Sequence, residues 1–152
     1  MFKKLIQTDD DVGMFLVRLF LGIVMFPHGA QKMLGWFGGG GFSGTVQGMT
    51  GMGLPAAVVV LIIIGEFFGS LGLIFGFLGR VAAGGILLIM LGAIFMVHLK
   101  NGFFMNWMGA PNGQEGFEYH LLVVGMALAI LVKGSGKLSV DRSLSDKGGY
   151  RA

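Results

Sequence analysis

The sequence predicts an all-α integral membrane protein, a four-helix bundle with both ends on the cytoplasmic side. Three observations predict it. Only 12% of the 152 residues are charged and 54% are hydrophobic, at a mean hydropathy of +0.78, whereas soluble domains carry about a quarter charged residues. Four stretches are apolar enough to cross a bilayer, and the basic residues gather on one side of them.

The first stretch covers residues 12–34 and is broken only by Arg18, His28, Gln31 and Lys32. The second, residues 54–78, has Glu66 as its sole charge, and the third, residues 81–98, has none before its closing His98. The fourth, residues 117–133, is short and must borrow from its flanks, because a span needs about 20 residues at a rise of about 1.5 Å. A buried helix of a soluble protein usually shows a polar face, and the second and third stretches show none. Each central Leu, Ile, Phe or Val favours insertion by roughly 0.3 to 0.6 kcal/mol, against a penalty of about 3 kcal/mol for one acid. Glu66 is therefore tolerable in its helix, and still calls for a partner.

Orientation follows from charge. Lys3 and Lys4 precede the first span, Arg80 sits in the turn after the second, and Lys133, Lys137, Arg142, Lys147 and Arg151 follow the fourth. The other side has only Lys32 and Lys100, so the positive-inside rule puts both termini in the cytoplasm. A cleaved signal peptide is not expected: Asp9, Asp10 and Asp11 stand where positive charge should lead, and no small-x-small site closes the apolar run. One domain accounts for the spans. The polar tail, residues 134–152, is Gly/Ser-rich and is expected to be mobile, with Asp146 to Ala152 reading as disorder.

Gly65, Gly69, Gly72 and Gly76 form two small-xxx-small pairs, the pattern that lets membrane helices approach closely. Gly22, Gly92 and Gly125 are single candidates for the same role. Gly39, Gly41 and Gly44 satisfy G-x-G-x-x-G, but that fingerprint needs a preceding strand, and here a membrane helix precedes it. NAD is not expected. The stretch 35–53, with Trp36, Phe37 and Phe42, reads instead as an interfacial or re-entrant loop.

Ionisable groups inside a span point to function by default. His28, Gln31 and Lys32 share one helix face at i, i+3 and i+4. Glu66 lies near the middle of the second span; His98, Lys100 and Asn101 close the third; Glu118, Tyr119 and His120 open the fourth. Separate segments thus deliver His, Glu, Gln, Asn and Lys to the outer half of the bundle. Lys32, Lys100 and Glu118 are also of the type that snorkels to the interface, and Arg18 is placed to pair with Glu66 as a helix clamp. No tight ligand spacing supports a metal or haem site. With no Cys, the chain has no thiol chemistry of its own. The net charge of +3 reads as topology, and no nucleic-acid partner is expected. A quinone pocket asks for a proton-exchanging His or Glu, a cation or amide for the carbonyl oxygens, and apolar walls. All are present.

The sequence resembles the DoxX/DoxD family of small four-helix membrane proteins. The likeness runs from Arg18 to Arg142 and rests on short pieces in order: Arg18-Leu19-Phe20-Leu21-Gly22, His28-Gly29-Ala30-Gln31-Lys32, Gly35-Trp36-Phe37-Gly38-Gly39, Gly44-Thr45, Gly53-Leu54-Pro55, Glu66-Phe67, Arg80-Val81-Ala82-Ala83, Val97-His98 with Asn101-Gly102-Phe103-Phe104, Glu118-Tyr119, and Leu138-Ser139-Val140-Asp141-Arg142. The resemblance implies a multi-pass protein of a bacterial-type cytoplasmic (inner) membrane, often labelled an oxidoreductase. One branch looks like a subunit of a thiosulfate:quinone oxidoreductase and others are linked to redox-stress complexes, while distant relatives act in cargo handling or receptor assembly.

The expected function is a quinone-interacting subunit of a membrane oxidoreductase, working with a partner redox subunit and open to homo-oligomerisation. His28, Glu66 and His98 are its candidate catalytic residues; Arg18, Gln31, Lys32, Asn101, Glu118 and Tyr119 are its candidate ligand-binding residues. His28 or His98 would exchange the proton, Lys32 or Gln31 would hold an oxygen, and Glu66 with Arg18 would orient the site. The rival readings are a non-enzymatic scaffold or assembly factor and a small-solute or proton pathway.

Overall fold

A computed structural model of the chain describes residues 2–147. A short helix α1 (Phe2–Ile6) leads into α2 (Val12–Leu34), which Asp11 caps by accepting a hydrogen bond from the Met14 amide at 3.1 Å. Gly35, at φ 74°, ends α2 in the left-handed region that favours glycine. A tight 3₁₀ turn at Trp36–Gly38 then leads to α3 (Gly41–Gly51). Next come α4 (Ala56–Phe75), which begins just after Pro55, and α5 (Gly79–Ala93). The latter continues through a π-helical turn, Ile94–His98, and a 3₁₀ turn, Leu99–Asn101. After a sixteen-residue irregular loop come α6 (Glu118–Lys133) and α7 (Val140–Lys147). No strand occurs among the described residues.

Three helices are long and apolar enough to cross a membrane: Val12–Leu34, Ala56–Phe75 and the continuous Gly79–Asn101. At sixteen residues, α6 covers only about 24 Å. It packs against α5 and α2, while α4 packs against α2 and α5, so the four form a closed ring. Leu21, Met25, Leu73, Ile86, Val123, Ala127 and Ile130 fill the centre. The outside is equally apolar. Leu16, Phe20, Ile23 and Val24 on α2, Leu61, Ile64 and Phe68 on α4, and Leu88 and Phe95 on α5 are all exposed. Such a continuous apolar exterior would aggregate in water. Lipid is its natural solvent, and this is a membrane protein.

The tightest crossing joins α2 to α4. A Cβ added at Gly22 would lie 2.9 Å from the Ile74 amide nitrogen, and one at Gly29 would lie 2.7 Å from the Phe67 Cα. Gly65 and Gly72 do face α5, against Ile89 and Ala82. Gly92 and Gly125 have nothing within 4 Å of an added Cβ, so their expected packing role does not hold. The stretch 35–53, expected as a loop, is largely helical: α3 packs on α2 and α4 and leaves Trp36, Phe37 and Phe42 exposed beside it.

Both ends of the described chain meet at one end of the bundle, here the terminal end. Asp141 of α7 accepts hydrogen bonds from the Leu78 and Gly79 amides, at 2.8 and 2.9 Å, and from the Ser135 hydroxyl. It thereby caps α5 from outside the helix, where an anion also suits the helix dipole. Arg80 donates to the Leu131 and Val132 carbonyls that end α6, to the Lys4 carbonyl in α1 and to the Gln7 carbonyl just after it. The mobility expected of the tail does not describe residues 134–147. Ser135, Ser139, Asp141 and Ser145 are buried, and Asp146 and Lys147 belong to α7. The rest of the stretch read as disorder, residues 148–152, lies outside the described residues.

Candidate functional site

At the opposite end, the loop end, α2 presents its polar face where its backbone is least regular. Pro27 has no N–H, so the Ile23 carbonyl loses its helical donor. Two residues on, Gly29 lets α2 press onto α4 at Glu66–Phe67. That approach brings Lys32 Nζ to 2.6 Å from Glu66 Oε2, with the Glu66 side chain 4% exposed and the Lys32 side chain 26% exposed. Glu66 therefore has Lys32 as its partner, one α-helix to the next.

Arg18 is the correction. It does not pair with Glu66. Its guanidinium is fully buried at the terminal end, where it donates to the carbonyls of Ser135 at 2.7 Å, Ile74 at 2.8 Å, Leu138 at 3.2 Å and also Leu73. Fourteen residues separate it from Lys32, about 21 Å along the helix. Arg18 locks the fold and takes no part in the loop-end cluster.

The remaining candidates fall into two groups. His28 is exposed on the surface of α2 and meets the Tyr119 ring of α6 at 6.2 Å, across the seam between those helices. His28 and Lys32 lie on one face of α2 about a helical turn apart, Lys32 paired with Glu66 of α4 and His28 beside Tyr119 of α6. The Tyr119 hydroxyl donates to Met25 Sδ at 3.7 Å, a weak bond that leaves its oxygen lone pairs available. Gln31 sits at the edge, its amide donating to the Phe37 carbonyl at 3.2 Å.

The second group centres on His98. His98 closes the π-helical turn Ile94–His98, a device common at functional sites. His98 Nδ1 lies 2.8 Å from the Glu115 carbonyl oxygen. A carbonyl can only accept, so Nδ1 carries the proton and Nε2 keeps the lone pair in the neutral ring. The His98 ring stacks on His120 at 4.2 Å between centroids, and Tyr119 meets His120 at 5.8 Å.

Asn101 and Glu118 serve the loop rather than the cluster. Asn101 donates to the Glu115 carbonyl at 3.0 Å. Glu118 accepts from the Met105 amide at 3.0 Å and the Trp107 indole at 3.1 Å. Together they hold the 102–117 loop in a fixed shape that leaves Phe104, Trp107 and Met108 strongly exposed.

His120, read in the sequence as one of the outer polar group but not among the candidate residues, is the residue burial singles out. It is 7% exposed, and its Nδ1 has no hydrogen-bond partner among the described residues. Buried His in a membrane segment is seldom idle, and the argument applied to His28 and His98 covers it equally. Among the described residues, no three His, Asp or Glu side chains form a group able to hold a metal ion.

The DoxX family model matches residues 13–99, the greater part of the chain. This chain belongs to the DoxX family. It is similar to the inner membrane protein YqjF of Escherichia coli strain K12, 31% identical over 138 residues, covering 91% of this chain and 96% of that one. It is similar also to the protein named "Putative oxidoreductase CatD" of Bacillus subtilis strain 168, 31% identical over 131 residues and 86% of each chain. No solved structure matches. The matched DoxX segment contains Arg18, His28, Lys32, Glu66 and His98 but stops before α6, which supplies Tyr119 and His120.

Proposed function

We propose that this DoxX protein is a quinone-interacting subunit of a membrane oxidoreductase, with its site at the loop end along the α2–α6 seam. The observation that carries the reading is the continuity of the loop-end groups. Lys32 pairs with Glu66 one helical turn beyond His28, His28 meets the ring of Tyr119, and His120 beside Tyr119 packs against His98. A quinone ring needs a hydrogen-bond donor or cation at its oxygens and a proton carrier beside them. Lys32 and His28 fill the first role, and His98, with Nε2 free to accept, fills the second. His28 stands at the seam, open to the hydrocarbon from which an isoprenoid quinone arrives. Reduction of a quinone also takes two electrons. A partner redox subunit supplies them in this reading, since the chain has no Cys of its own. In this reading α6 is the fourth crossing, the loop end faces outward, and the protein resides in the cytoplasmic membrane with both termini inside.

The test is the quinone content of protein purified in mild detergent, measured by organic extraction. Wild type is expected to retain quinone, and His28→Ala and Glu66→Gln to lose it while remaining folded. Wild-type protein free of quinone, and unable to take it up from vesicles, would refute the reading.

One observation favours a second reading, a scaffold that docks a partner. The 102–117 loop is held by Glu118 and Asn101 with Trp107 and Met108 pointing away from the bundle. A fixed partner that co-purifies only while Trp107 and Met108 are intact, from protein that binds no quinone, would favour it.

A further inference from the structure

We infer that His120 is a second holding point for the ligand ring, contacting through Nδ1 the oxygen opposite the one held by His28 and Lys32. The inference rests on the quinone reading above and makes it specific: the ligand is a ring oxygenated at both ends, and a one-oxygen ring is a poorer ligand.

The argument starts from an unmet need. A buried polar atom without a partner loses the hydrogen bonds it made in water, and native proteins leave few such atoms. His120 Nδ1 is such an atom, on a side chain 7% exposed. Its neighbours do not answer it. His98 packs against it with ring centroids 4.2 Å apart and the planes tilted by 40°, its own Nδ1 committed to the Glu115 carbonyl, and Tyr119 meets the ring at an interplanar angle of 82° while its hydroxyl reaches Met25.

Position supplies the rest. Tyr119 lies between two imidazoles, His28 at 6.2 Å on the exposed seam and His120 at 5.8 Å in the interior. A planar ring entering from the seam meets His28 and Lys32 at the mouth and His120 at depth. Imidazole suits both redox forms of such a ring, because a neutral His donates to a carbonyl in one tautomer and accepts from a hydroxyl in the other. His120 is a positioning and proton-exchanging contact here, and the inward face of the π-helical turn stacks His98 against it.

The experiment compares two ligands that share an alkyl tail, a 1,4-benzoquinone and the phenol with one ring oxygen removed, bound to full-length protein in lipid nanodiscs. For wild type the quinone binds more tightly than the phenol. His120→Phe, which keeps an aromatic ring beside His98, is expected to weaken the quinone by about tenfold or more and the phenol by less than about twofold. His120→Asn, whose amide overlays the Nδ1 position, is expected to stay within about threefold of wild type for both. Merely structural damage would lower both ligands together. Equal losses for the two ligands, no loss for either, or an Asn variant as weak as Phe would overturn the assignment while leaving the quinone reading standing. Wild-type protein that binds neither ligand overturns both.

Discussion

The two ends of the bundle handle buried polarity in opposite ways. At the terminal end, Arg18, Arg80 and Asp141 end on backbone carbonyls and amides from distant parts of the chain. Those partners would otherwise be orphaned, since helix ends leave carbonyls and amides unmet and a bilayer supplies no water to meet them. At the loop end Lys32 meets Glu66, His28 meets Tyr119 and His98 meets His120, whose Nδ1 has no hydrogen-bond partner among the described residues, while Glu118 and the His98 Nδ1 hold the neighbouring loop. A charge matched to backbone is matched permanently, whereas side chains that face each other remain free to exchange partners. In the proposed reading, the contrast separates groups that hold the fold from groups that serve a ligand.

Substitutions can break this contrast or sharpen it. The largest effect is expected from Arg18→Met, which strands the carbonyls of Ser135, Ile74, Leu138 and Leu73 inside the protein. A loss of about 3–5 kcal/mol should appear in thermal or denaturant unfolding in detergent, at the level seen when a buried charge network is broken. Arg18→Lys should rescue little, because an ammonium cannot reproduce the planar fork that reaches several carbonyls. Gly29→Ala comes next: its methyl would sit against the Phe67 backbone, pushing α2 from α4 at a loss of about 3 kcal/mol. The same change should weaken the Lys32–Glu66 pair, so ligand binding should fall with stability.

Smaller effects belong to the loop end. Glu66→Gln leaves Lys32 without its counter-charge, but Lys32 is a quarter exposed and can reorient, so about 1–2 kcal/mol is expected. Glu118→Gln weakens the hold on the Met105 amide and should loosen the 102–117 loop by about 1 kcal/mol, seen as faster proteolysis within it. Gly125→Ala, where an added methyl meets nothing, should be neutral within about 0.5 kcal/mol. A large loss there, or a negligible one for Arg18→Met, would show that the contact geometry described here is wrong.

Much of this was legible in the sequence, and for identifiable reasons. Long apolar runs with one central charge predicted the helices, and the first span, residues 12–34, coincides with α2. The grouping of His28, Lys32 and Tyr119 followed from helical spacing and order along the chain. Arg18 was misread because a partner was sought only among side chains. Periodicity says nothing about backbone carbonyls exposed where α4 ends and where the chain leaves α6. The tail looked mobile because polarity and Gly content describe solvent-facing chain, yet its polar residues are buried for the opposite reason: Asp141 accepts from the Leu78 and Gly79 amides and the Ser135 hydroxyl, and Ser145 donates to the Ile6 carbonyl. The helix at 41–51 was hidden by its glycines, which lower intrinsic propensity while packing on α2 and α4 supplies the compensation. His120 was hidden by adjacency: next to Tyr119 and two residues from Glu118, it read as one of a polar group, and only burial distinguished it.

The central claim is that the loop-end charges serve a ligand and are dispensable to the fold. The most direct measurement is quinone binding to a Lys32→Met/Glu66→Leu double variant in nanodiscs, alongside its unfolding midpoint. Replacing both partners of an ion pair with apolar groups of similar volume is often neutral for stability. The account predicts an unfolding midpoint close to that of wild type and an affinity for quinone reduced by about tenfold or more. A folded double variant that binds quinone as wild type does would contradict it.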